Sequence, residues 1–250
     1  MNKKIKRTIS NILLILISII LVSVILMASE NRQAVKEIDK FIKRGVLIYT
    51  SEDTEYYKVS KEYDYEDIES RIVDDYTSNY IGTTGDIYIV STDWGSSFVT
   101  RYICEKLRVG HCGIVYDENA NTLYEIVGNQ GKNNVVKLYD NDWDYKSSFK
   151  EMSVIRVKNT NDEDKSKIKE YLDSIAGAKY NFFFLFHMKN RFYCTDLATE
   201  VYKRNFETNI NNFFISTGSS MIKDTNTYLL YYKREVNRDN IKYEVYFLGD

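Results

Sequence analysis

The sequence predicts an α+β domain held behind an N-terminal transmembrane helix. Three observations carry this. An apolar run from Ile12 to Ala28 follows Lys3, Lys4, Lys6 and Arg7; short β-branched and aromatic runs bounded by Asp, Asn and Gly begin at Asp86; and helical spacing appears from Asn161 to Ala176 and again after Cys194. The chain therefore divides into an anchor or signal segment over 1–29, a membrane-proximal helical region over 30–80, and the α+β domain over 81–250, an antiparallel sheet packed against helices.

The N-terminal run is broken only by Ser18 and Ser23. It is apolar on every face and sits at an extreme terminus, which fits a membrane span better than a core helix. Met27 and Leu26 spoil the small-residue pattern before Ala28-Ser29, so an uncleaved anchor is expected over a cleaved signal. Arg32, Lys36, Lys40, Lys43 and Arg44 follow the span, so a count of basic residues does not orient it. The order does: a short basic start followed at once by the apolar run leaves the N-terminus in the cytoplasm and exports the body.

From Glu30 to about Asn79, Ala34, Val35, Ile38, Phe41 and Ile42 and then Tyr65, Ile68, Ile72 and Tyr76 recur at helical spacing. Asp86–Val90 reads as a strand after the turn residues of Ile81–Gly85. A helix capped by Ser96 or Ser97 runs through Leu107 and ends at Gly110. Cys112–Tyr116 and Thr122–Val127 form strands around Asp117–Asn121, a stretch with the Asp and Asn content of a hairpin turn. Val135–Leu138 and Ser153–Val157 are further strands. Helices follow over Asn161–Ala176, from Thr195 or Asp196, and from a cap at Ser219 or Ser220.

A net charge of −2, with acids and bases interspersed, gives no footprint for nucleic acid. Three cysteines without a Cys-x-x-Cys pair make no disulfide framework and leave at least one thiol free. The absence of proline, with heavy use of Asn, Lys, Ile and Tyr, is a compositional bias and carries no functional meaning.

Reactive side chains are few: His111, His187, Cys104, Cys112 and Cys194. Cys194 immediately precedes an apolar-periodic helix, where free N–H groups and the helix dipole favour a thiolate and could stabilise an oxyanion. His111 starts a strand. A hairpin centred on Glu118 sets Glu125 opposite it, with both side chains on one face, where a carboxylate can orient an imidazole. His187 is the rival base, but Phe182–Phe186 before it reads as an aromatic wall. That run reads as core more readily than as a contact for an apolar group. A zinc site from His111, Cys112, Cys194 and His187 fails because adjacent strand residues point to opposite faces. Cys104 and Cys112 read as packing residues.

Gly85-Asp86-Ile87, Gly110-His111-Cys112-Gly113-Ile114-Val115-Tyr116, Leu123-Tyr124-Glu125 and Tyr193-Cys194-Thr195-Asp196-Leu197 with Tyr202 resemble the permuted papain-like amidases of the YiiX/YaeF type, relatives of the NlpC/P60 cell-wall hydrolases. The resemblance covers roughly Gly85 to Ile222. Ordinary papain-like enzymes place the nucleophile helix before the histidine strand, and this group reverses them, as here. The resemblance implies a circularly permuted papain-like fold with Cys194 as nucleophile, His111 as base and Glu125 as orienting acid. Tyr180-Asn181 matches a Tyr-Asp pair, so Tyr180 and Tyr193 are the expected substrate contacts. Gly110 in place of Ser, Thr195-Asp196 in place of Ser-Glu, and Asn181 in place of Asp depart from the pattern.

Two functions from different classes follow. One is a membrane-anchored cysteine hydrolase or acyl transferase acting on amide or ester bonds of cell-envelope peptides or acylated molecules. The other is a catalytically silent tethered domain that binds wall peptide or lipid. Neither calls for a metal or cofactor.

Overall fold

Helix α1, Lys3–Lys43, is continuous over 41 residues. At about 1.5 Å per residue it is roughly 60 Å long, about twice a bilayer's hydrocarbon core. Its first half exposes Ile12, Leu13, Leu14, Ile15, Leu21, Val22 and Ile25, and the helix is long and apolar enough to cross a membrane. Its second half is a different surface: Ala34, Ile38 and Phe41, spaced four and three apart, are buried against the body.

The computed structural model describes residues 3–61, 80–91, 105, 107–108, 110–128, 134–143, 149–183, 188–211, 215–238 and 240–249. Behind α1 lies one large mixed sheet with helices packed on it, an α+β architecture. Its strands are β1 (Gly45–Thr50), β2 (Thr54–Val59), β3 (Ile87–Ser91), β4 (His111–Val115), β5 (Thr122–Glu125), β6 (Lys137–Asp140), β7 (Glu151–Val157), β10 (Thr227–Arg238) and β11 (Ile241–Leu248), while β8 (Lys179–Tyr180) and β9 (Arg191–Phe192) form a separate small pair. The spatial order is β1-β2-β11-β10-β7-β3-β4-β5-β6. Central strands are buried end to end, as β3 and β4 show with Ile87, Ile89, Ile114 and Val115.

Three expectations need correction here. Residues 45–50 and 54–59, read as helical, are strands, and they join the sheet through β11. The sheet is not wholly antiparallel, because β2 pairs with β11 in parallel. The two long C-terminal strands carry no counterpart in the sequence reading. The expected helix over 96–107 falls largely outside the described residues, although Glu105 and Leu107 are helical; the left-handed residue after it is Arg108, with φ 52°, rather than Gly110.

Three helices complete the body: α2 (Asp162–Ser174), α3 (Cys194–Phe206) and α4 (Gly218–Ile222). Asn161 closes a capping box with Asp164 at the start of α2, worth about 1 kcal/mol. Helix α4 is capped by Thr217 in a box with Ser220, not by Ser219 or Ser220 as N-cap. Helix α2 packs on α3, α3 on β4, and α4 on both β10 and α1. Thus α3 lies across the strand that begins at His111.

Candidate active site

Strand β4 brings His111 to the site between β3 and β5, opposite Val90 of β3. The hairpin to β5 is held by Asp117, whose carboxylate accepts from the N–H groups of Asn119, Asn121 and Thr122 and from the Thr122 hydroxyl at 2.6–3.3 Å. Burial opposes its ionisation, but these donors win and hold the Asp117 carboxyl below its ordinary range. The register differs from expectation by two residues: Glu125 pairs with Gly113, not His111. A slip of two keeps the face, so Glu125 still reaches diagonally to His111. Its Oε2 lies 2.6 Å from His111 Nε2, and both residues are about 4% exposed.

Gly113 makes that diagonal open. A Cβ there would stand 3.2 Å from both Glu125 Cγ and Trp143 Cζ2. Trp143 is the residue the sequence reading missed. Its indole Nε1 donates to Glu125 Oε1 at 2.5 Å, and its ring stacks on the His111 imidazole with centroids 5.1 Å apart and planes at 19°. Asn141 anchors the segment: its Nδ2 donates to the Ala120 carbonyl at 2.7 Å, and its Oδ1 accepts from Trp143 N–H at 3.3 Å. Nothing periodic marks Trp143; it is one of only two tryptophans, in Asp-Asn-Asp-Trp after β6.

Cys194 arrives from the other side as the first residue of α3, one position earlier than Thr195 or Asp196 had suggested. The N-cap is Tyr193 in an extended conformation with no side-chain cap bond, and Leu197 N–H donates to its carbonyl at 2.9 Å. Cys194 lies close enough to His111 for its charge to act on the imidazole. Burial alone would lower the imidazole's proton affinity, but the neighbouring Cys194 and the hydrogen-bonded, negatively charged Glu125 overcome it and push His111 up to about 9. Asp196, in the same helical turn, is raised to about 7 by burial and by the charge of Glu200.

The three expected site residues are therefore together: Cys194, His111 and Glu125. The expected substrate contacts are placed differently from one another. Tyr193 turns its hydroxyl to accept Ser216 N–H at 2.8 Å, which ties the start of α3 to the loop before α4. Tyr180 lays its ring on Gly128, three residues after Glu125, and tilts against Phe182. Asn181 is fully buried and caps the turn by accepting Phe183 N–H at 2.9 Å. Phe182 and Phe183 are 54% and 68% exposed, so these two are not core as expected; Phe184, Leu185 and Phe186 lie outside the described residues. His187 and Cys104 lie outside the described residues. Cys112 is a buried free thiol beside the site, and burial raises its pKa. Among the described residues no three His, Cys, Asp or Glu side chains come together as a metal set.

Other motif residues hold the frame. Gly85, at φ 94°, accepts the Tyr202 hydroxyl on its carbonyl at 2.6 Å, and a Cβ there would meet that hydroxyl at 2.7 Å. Asp86 grips Arg156 through two bonds of 2.7 and 2.8 Å. Arg108, three residues before His111, donates to Glu151 of β7 and Asn31 of α1, both at 2.8 Å.

No protein-family model and no curated protein sequence matches the chain. Among solved structures, the crystal structure of the metalloprotein yiiX from Escherichia coli O157:H7, DUF1105, overlaps 60% of this chain and 96% of its own, at 16% identity and a TM-score of 0.47.

Proposed function

We propose that the protein is a membrane-anchored cysteine hydrolase or acyl transferase of the permuted papain-like type, with its body outside the cytoplasm. One observation carries the reading: a single buried imidazole is hydrogen-bonded to a carboxylate on the neighbouring strand and lies within electrostatic reach of a thiol at a helix start. A merely structural histidine needs one partner; two partners of these types match a nucleophile, a base and an orienting acid. The histidine-before-cysteine order supports the permuted form of the fold.

In the proposed reaction His111 takes the Cys194 proton and the thiolate attacks the carbonyl carbon of an amide or ester. N–H groups in the uncapped first turn of α3 receive the developing oxyanion. The imidazolium protonates the leaving amine or alcohol as its bond breaks, leaving an acyl-thioester. Water or another acceptor, deprotonated by His111, then releases the acyl group. Glu125 keeps Nε2 protonated and the ring oriented throughout. Envelope peptides or acylated molecules are the substrates within reach of a tethered domain.

The test is iodoacetamide alkylation of Cys194 across pH in a Cys104→Ser background, with Cys112 shielded by burial. Reactivity at neutral pH that falls at least about tenfold in His111→Ala supports the reading. An unreactive Cys194, or reactivity indifferent to His111, sinks it in favour of a silent binding domain.

A further inference from the structure

The loop between β8 and β9 exposes two aromatic rings. Phe182 and Phe183 stand in solvent, held there rather than loose: Asn181 accepts the Phe183 N–H, and Tyr180 braces Phe182 with ring centroids 4.7 Å apart. Met188 is also exposed, at the start of a tight turn in which Arg191 N–H returns to its carbonyl and Asn190 takes φ 57°. The exposed charged residues described between β8 and the end of β9 are all of one sign, Lys179, Lys189 and Arg191. From Ser174 to Thr195 the sequence holds no acid, in a chain whose net charge is −2. Exposed aromatics rimmed by bases fit an anionic membrane surface: rings enter the headgroup layer while the bases pair with phosphates.

Two hydrogen bonds tie the helix end and this loop to the candidate site. Asn31 lies three residues past Ala28, about 5 Å along α1 from the end of the apolar run, and its Oδ1 accepts from Arg108. Arg108 is three residues before His111. On the other arm, Asn181 N–H donates to the carbonyl of Phe192, two residues before Cys194, at 2.8 Å. The base of the membrane helix and the aromatic loop thus each bond to a residue within three positions of His111 or Cys194.

We propose that Phe182 and Phe183, with Lys179, Lys189 and Arg191, dock on the anionic leaflet of the membrane that α1 spans, presenting the Cys194–His111 pair to the bilayer surface. This rests on the membrane-anchor part of the function proposed above.

The full chain is reconstituted in nanodiscs of phosphatidylcholine alone or mixed with phosphatidylglycerol, with dibrominated acyl chains as quenchers. Phe183→Trp reports the loop, and the wild type supplies the background from Trp94 and Trp143. The new indole should be quenched and blue-shifted, at least about twofold more strongly in the anionic discs. Lys179→Glu/Lys189→Glu/Arg191→Glu should abolish the quenching while the chain stays in the disc. Unquenched emission from disc-bound Phe183→Trp, or from Phe182→Trp if the first does not fold, overturns the docking. Equal quenching in both lipids and in the triple variant overturns the anionic partner. A chain that fails to enter discs overturns the anchor and the docking together, and Cys194 alkylation in the same discs reads the catalytic pair independently of either.

Discussion

Trp143 and His111 compete for nothing: the indole N–H takes Oε1 of Glu125 and the imidazole takes Oε2, with the two rings stacked between. One carboxylate is thereby fixed at both oxygens in a buried setting, and the imidazole plane is fixed with it. In the proposed reaction that carboxylate takes the place of the acid in a catalytic triad.

Trp143→Phe should therefore do two things. It keeps the stacked ring but leaves Glu125 Oε1 buried without that donor, which costs about 1–3 kcal/mol. Urea denaturation reads that loss. The rate of Cys194 alkylation should also fall and its pH profile shift, because a released carboxylate no longer holds the imidazole. An unchanged profile with lowered stability would make Trp143 a packing residue only.

Gly113→Ala tests the gap through which Glu125 reaches His111. The added Cβ meets Glu125 Cγ and Trp143 Cζ2 at 3.2 Å, closer than ordinary contact, and both neighbours are held from behind. A cost of about 1–3 kcal/mol is expected from overpacking. Alkylation of Cys194 should suffer as in Trp143→Phe. Gly177→Ala, at φ 83° with no neighbour within 4 Å, is the control that strains backbone without touching the site.

His111 sets a pH dependence whose sign is fixed by its partners. Its pKa rises from 6.5 to about 9 in the fold, so its stabilisation is complete below the unfolded value and is lost as pH climbs through about 9. The raise corresponds to roughly 3 kcal/mol. The Tm of the wild type should drop between pH 7 and 10. Glu125→Gln, which removes one of the two charges, should bring that drop to lower pH; a wild-type Tm flat across this range would contradict the ion pairing.

The site was legible because its chemistry is scarce: with two histidines and three cysteines, a histidine heading one strand and a cysteine heading one helix left few pairings. The facing of Glu125 was legible too, since period-two alternation survives a slip of two. Its partner was not, because register depends on how Asp117 folds the turn, and that depends on which N–H groups its carboxylate collects. Trp143 left no trace because a loop residue obeys no period. The outer sheet was lost for a related reason. Val46, Leu47 and Ile48 run continuously on an edge strand, and Lys233, Arg234 and Glu235 interrupt β10 where it leaves the core, so neither alternates cleanly.

Asp86 and Arg156 give the last prediction. Both are buried, and two hydrogen bonds join them; Asp86 also accepts Thr83 N–H at 2.7 Å, which shapes the turn that presents Gly85 to Tyr202. Asp86→Asn strands the Arg156 charge in the interior and should cost about 3–5 kcal/mol. Arg156→Met strands the carboxylate and should cost a similar amount. The double variant removes both charges, so its loss should be well below the sum of the two. Because Tyr202 belongs to α3, each single variant should also slow Cys194 alkylation by loosening the helix that carries it. Additive losses in urea denaturation would mean the pair is not coupled, and the turn geometry alone would then account for Asp86.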